Sequence, residues 1–162
     1  MNRSLESYLH HHLQGFSRAL VLFDSLTSRD ALSEDHHYFR SMSDEVLGER
    51  NFLLGLLESA GLYENKMVDY PAPCGGRKNP ASDHSTDDTL IHLEMLESLI
   101  LGIQGKRLMW KALQAIHPRI PGWKNVDFTQ LERSSVRQRD GLETRRLHHV
   151  QTAFRTLLAQ AS

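Results

Sequence analysis

Cysteine is nearly absent from this chain. Cys74 is the only one, which excludes an intramolecular disulfide and suits a reducing, cytoplasmic compartment. No apolar run approaches the roughly 20 residues that a membrane-spanning helix needs. The N-terminal MNRSLESYLHHHLQGF lacks a charged-then-apolar leader, so neither a span nor a signal peptide is expected. Net charge is also nearly missing. The 19 Lys and Arg against 20 Asp and Glu leave −1, so no strong field draws the chain to nucleic acid or to an anionic membrane. All five prolines fall in two short stretches, and no segment shows the alternation of a strand. The 162 residues read as a single domain, 1–162, long enough to bury a core.

What is present is helical periodicity in four long segments. The first, about 4 to 28, alternates steps of four and three through Leu5, Leu9, His12, Phe16, Ala19, Phe23 and Leu26. TSRDALS breaks it, and Ser33 is placed to cap a second helix that ends near Ala60 with Gly61 as its C-terminal cap. A proline- and glycine-bearing link follows, a loop of about 61–84. Ser85 with Asp88 resembles a capping box opening a third helix, which runs to about 117 with Leu93, Leu96, Ile100, Ile103 and Trp110 on one face. Gly102 and Gly105 interrupt it and predict a close helix contact or a mild bend. HPRIPGWKN stops that helix. Asp127 with Gln130 caps a fourth helix to about 159, whose inward face reads Val136, Leu147, Val150, Phe154 and Leu157.

The fold class is therefore all-α, a four-helix bundle. Two links are short enough for antiparallel neighbours, whereas the middle one exceeds the usual length of a structureless loop. A long link of this kind lets the chain travel back along a bundle. The expected order is up, down, down, up, with a crossover between the second and third helices.

Functional interest centres on the seams. Within SMSDEVLGERNFLLGLLES the step from Val46 to Leu53 lands on Glu49, and an ionised carboxylate in an apolar seam is costly unless paired or metal-bound. The first helix places His12 inward. The third places Glu97 and Gln104 on the side of Ile100 and Leu101, and the fourth places Asp140 and Glu143 on its apolar arc. Carboxylates with an imidazole suit iron, manganese or zinc. The candidate metal ligands are His12, Glu49, Glu97 and Glu143. The competing reading is a buried ion-pair network in which Arg50, Arg107, Arg139 and Arg146 neutralise the acids; Arg139 and Arg146 stand four and three residues from Glu143.

Helices aiming carboxylates at one point, together with the long middle crossover, resemble the ferritin-like superfamily across essentially the whole chain. That resemblance implies a di-iron centre built on Glu-x-x-His pairs. The sequence departs from it there. The one Glu-x-x-His, Glu34 to His37, opens the second helix, while Glu49 and Glu143 are followed three residues later by Phe52 and Arg146. No catalytic residue is assigned. The expected function is a small soluble bundle acting through homo-oligomerisation or partner binding, the alternative being a carboxylate/histidine bundle with a redox or metal-storage role.

Other motifs carry less. His10, His11 and His12 project in three directions and cannot share an ion. His92 with Asp88 reads as a solvated helix face, and the CGGRK around Cys74 lacks the strand and the Gly-Lys-Ser/Thr ending of a phosphate loop. The arginines of the last helix are interleaved with acids and lack stacking aromatics, so no nucleic-acid partner is expected.

Overall fold

The structure is a computed structural model, and it describes residues 3–29, 34–62 and 84–155, leaving the side chains of 84–87 aside. Among the described residues there are four α-helices and no strand: α1 (Arg3–Arg29), α2 (Asp35–Ser59), α3 (His84–Ile116) and α4 (Phe128–Ala153), with a 3₁₀ turn at His117–Arg119. The all-α four-helix bundle expected from the periodicity is what forms. Ser33, Cys74 and the tail beyond Arg155 lie outside the described residues, as does the side chain of Ser85.

The helices pair by their apolar rows. α1 buries Leu9, Leu13, Phe16, Phe23 and Leu26. α2 buries Phe39, Met42, Val46, Leu53 and Leu56, in steps of three and four, or seven where Glu49 intervenes. α3 contributes Leu96, Leu99, Ile103, Trp110 and Leu113. Trp110 is fully buried between Phe16, Phe52 and Phe128, at ring separations of 6.4, 6.5 and 6.2 Å. Burying each such side chain is worth about 1.5–3 kcal/mol, so these rows set the packing.

Cross-helix partners fix the directions. Arg29 at the end of α1 meets Asp88 at the start of α3, so α1 and α3 are antiparallel. Arg107 meets Glu132 and Arg146 meets Glu97, so α3 and α4 are antiparallel as well. Phe39 lies by His92, and ten residues on in α2 Glu49 lies by Lys106, so α2 and α3 run the same way. The order is up, down, down, up. The ends joined by residues 63–83 sit at opposite ends of the bundle, and the joining residues themselves lie outside the described set.

The buried face of the fourth helix differs from expectation, and the link before it does more than stop α3. The buried residues of α4 are Phe128, Ser135, Gln138 and Leu142, whereas Leu147 and Phe154 are 48% and 42% exposed. Of the expected apolar arc, Leu147 and Phe154 thus face outward while Val136 and Val150 are half-buried. The physical reason is that α4 is held by a polar seam and a close approach rather than by its most apolar residues. At Gly141 an added Cβ would lie 2.5 Å from the Tyr38 hydroxyl. Arg145 stacks over the same Tyr38 ring at 3.2 Å and donates to Asp35 at 2.7 Å. The second difference is the HPRIPGWKN link. Trp123 is fully buried and its Nε1 donates to the carbonyl of Leu56 at 3.1 Å and to Ser59 Oγ at 3.2 Å, so the link docks on the end of α2.

The helix ends are closed by the expected chemistry in two places. Asp127 Oδ1 accepts from the Gln130 N–H at 2.9 Å. At the end of α2, Gly61 has φ +64° and donates to Glu58 O, while Leu62 donates to Leu57 O at 2.9 Å. This is a Schellman closure, with buried Leu62 packed toward Leu57. At the start of α2, Glu34 makes no side-chain cap. Because a side chain at positive φ costs about 1–2 kcal/mol, Gly61→Ala should lower the unfolding free energy by about 1 kcal/mol. Urea titration followed by circular dichroism checks this, and an unchanged midpoint would rule out the closure described.

Candidate functional site

The seam of α2 carries Glu49 at the position its periodicity predicts, 9% exposed. A carboxylate there needs a partner, and α3 supplies one. In Leu96, Leu99, Ile103, Lys106, Trp110, Leu113 the steps of three and four land on Lys106, which is 5% exposed. Its Nζ donates to Glu49 Oε2. It also donates to Gln138 Oε1 of α4, at 2.5 Å. Gln138, 2% exposed, completes the ring by donating from Nε2 to Glu49 Oε1 at 3.1 Å. The same amide nitrogen reaches Glu45 Oε2 at 3.0 Å. Phe16 of α1 places its ring 5.8 Å from the ammonium. Every helix thus contributes to a polar centre in the middle of the bundle, α2 through both Glu45 and Glu49.

The electrostatics follow from burial. Desolvation drives the Lys106 ammonium below its ordinary value of 10.5, and Glu49 pulls the other way through its charge and its hydrogen bond. Both oxygens of Glu49 and both ends of the Gln138 amide are engaged, so the centre is satisfied within itself. On one side lies a cleft between α2 and α4 of about 580 Å³, with Glu45, Gly48, Glu49, Phe52, Leu131 and Arg137 among its lining residues. Arg137 and Glu45 pair across it at 3.5 Å. On the other side a cavity of about 30 Å³ is lined by His12, Phe16, Val46 and Lys106.

The four candidate ligands are not brought together. Glu49 faces inward as expected. His12 is half-buried, meets the Tyr8 ring edge-on at 4.7 Å, and shares the small cavity with Lys106. Burial, and then neighbouring His11, depresses its basicity. Glu97 is the first correction. Its side chain is 51% exposed, and Arg146 Nη1 reaches it at 3.4 Å. It sits off the seam because the buried row of α3 passes through Leu96 and Leu99. Glu143 is the second. Arg146 grips both its oxygens, at 2.6 and 2.7 Å, but the carboxylate is 41% exposed, since the buried face of α4 runs through Gln138 and Leu142. The Arg146 hydrogen bonds hold the Glu143 carboxyl below the usual carboxylate range. A pair so exposed contributes at most about 1 kcal/mol. Among the described residues no three His, Cys, Asp or Glu side chains are grouped to hold a metal ion.

The arginines expected around the acids are likewise distributed outward. Arg107 donates to Glu132 at 2.5 Å and Arg139 to Asp140 at 2.7 Å. Arg50 Nε is buried without a hydrogen bond. The central acid is neutralised by a lysine instead. His92 also departs from the solvated reading: it is 6% exposed and stacks on His149 at 3.8 Å with 18° between planes, while Asp88 pairs with Arg29. Comparison with known proteins finds no matching family model, no matching curated protein and no matching solved structure.

Two outcomes follow from the centre. Removing one member of a buried pair strands the other, so Glu49→Leu and Lys106→Met should each cost about 3–5 kcal/mol. The double variant, which strands neither charge, should be markedly less damaged than their sum, and denaturant melts of all four proteins measure the coupling. Additive losses would mean the pair is not formed. The second outcome concerns pH. A lysine depressed in the folded state means that the unfolded chain binds more protons between the folded value and 10.5. Its contribution to stability therefore rises with pH through that window and is flat below it. Wild type should gain on Lys106→Met as pH climbs from neutrality toward about 10.5, and a difference independent of pH would contradict a depressed lysine.

Proposed function

We propose that this protein is a non-catalytic bundle of ferritin-like design in which the lysine ammonium takes the place that a metal holds among the inward carboxylates of such bundles. It works through its surface, by homo-oligomerisation or partner binding. The observation that carries the reading is the engagement of both Glu49 oxygens by Lys106 and Gln138. A carboxylate so occupied serves to align helices, as buried polar groups do when they set register, and its charge is already neutralised within the bundle. The outward placement of Glu97 and Glu143 supports the same reading.

The test is elemental analysis of untagged protein, paired with thermal melts with and without chelator. The expected result is no stoichiometric iron, manganese or zinc and an unchanged melting temperature. A resident metal stabilises by mass action, so about one equivalent of metal with a chelator-sensitive melt would overturn the proposal in favour of the metal-storage or redox alternative.

A further inference from the structure

The outer face of α3 carries an apolar row. Leu90, Leu101 and Leu108 are 48%, 73% and 54% exposed. Leu101 follows Leu90 by eleven residues and Leu108 follows Leu101 by seven, which are about three and two helical turns, so the three align within roughly 20°. Single exposed leucines are ordinary on a protein surface. Leu101 and Leu108, about two turns apart, make the apolar part of this face, and Glu94 and Glu97 separate them from Leu90. Between Leu101 and Leu108 stands Gly105, and among the described residues nothing beyond its own stretch of helix comes within 4 Å of where its Cβ would be. The close helix contact that this glycine predicts is therefore not made among the described residues, although glycine costs about 1 kcal/mol relative to alanine in a helix.

We infer that this face docks on the same face of a second copy of the chain, α3 against α3, antiparallel about a two-fold axis. The charges choose that occupant and that direction. Counting from the midpoint between Leu101 and Leu108, exposed Glu97 lies on one side and exposed Lys111 on the other. An antiparallel pair centred there sets Leu101 beside Leu108 of the second copy and Glu97 within one residue of its Lys111, twice over by symmetry. A parallel pair would set Glu97 against Glu97 and Lys111 against Lys111. Arg146 reaches only Oε1 of Glu97, at 3.4 Å. Gly105 leaves bare backbone at the midpoint, where the second copy's leucines come nearest.

The inference rests on the proposal that the protein acts by association, and the two fail differently. Sedimentation velocity of the full chain over a range of concentrations should show a reversible dimer. Leu101→Arg, at a 73% exposed position where folding tolerates it, should weaken the dimer by about thirtyfold or more with unchanged helicity by circular dichroism. Glu97→Lys and Lys111→Glu should each weaken it, and the two together should restore it. A wild type that is monomeric at every concentration overturns the inference, as does a dimer indifferent to Leu101→Arg or a charge swap that fails to restore. A metal-free monomer would leave the proposed function standing without this face, whereas a metal-loaded dimer would do the reverse.

Discussion

Everything in the bundle is arranged around one electrostatic constraint. A carboxylate placed in an apolar seam must be neutralised, because the cost of stranding it approaches the whole stability of a small domain. Lys106 of α3 meets that need for Glu49, and Gln138 of α4 ties off what remains. The ring ties together three helices that come from both hairpins. Slipping any of them by one turn would break it, so the ring specifies register where apolar contacts alone tolerate several alternatives. The cost is borne by the lysine, whose charge is disfavoured by burial even beside its partner.

The same ring explains where sequence reading succeeds and fails. α2 is legible because six of its seven buried residues are apolar, and the odd one, Glu49, announces itself by interruption. Lys106 was equally legible: it stands in the α3 row at the step after Ile103. It is obscured by choosing Ile100 over Leu99 as the marker of the inward face, which also swings Glu97 inward on paper. α4 is the hard case. Its inward row, Phe128, Leu131, Ser135, Gln138, Leu142, keeps steps of three and four, yet half its middle is polar, while Val136, Leu147 and Phe154 make a more apolar arc elsewhere. Hydrophobicity alone selects the wrong face. The right one follows only once the acid on α2 and the ammonium on α3 are known to need a third partner.

Topology was read from a different signal. A link too long for a hairpin between two short ones implies parallel second and third helices; Phe39 and Glu49 of α2 meet His92 and Lys106 of α3 in that direction, and the link itself lies outside the described residues. The expected arginine network forms in part: Arg146 pairs with Glu143 and Glu97, while the buried Glu49 takes a lysine. Arginine suits bidentate pairing, which is what Arg146 does with Glu143 at the rim. A flexible stem ending in a compact ammonium fits the narrow centre better, and Lys106 takes it.

The burial of Trp123 against Leu56 and Ser59 has a consequence for how the chain folds and how that can be watched. The hairpins α1–α2 and α3–α4 are each local, but Trp123 belongs to the second and its hydrogen-bond partners to the first. Its indole can leave water only when the two hairpins dock. The other tryptophan, Trp110, sits among Phe16 and Phe52 of one hairpin and Phe128 of its own, so it too spans the division. The chain thus carries a native fluorescence reporter at its end and another in its core, both sensitive to the docking of the two hairpins. A rapid-mixing trace from the two single-tryptophan proteins would time the closing of the end against the closing of the centre.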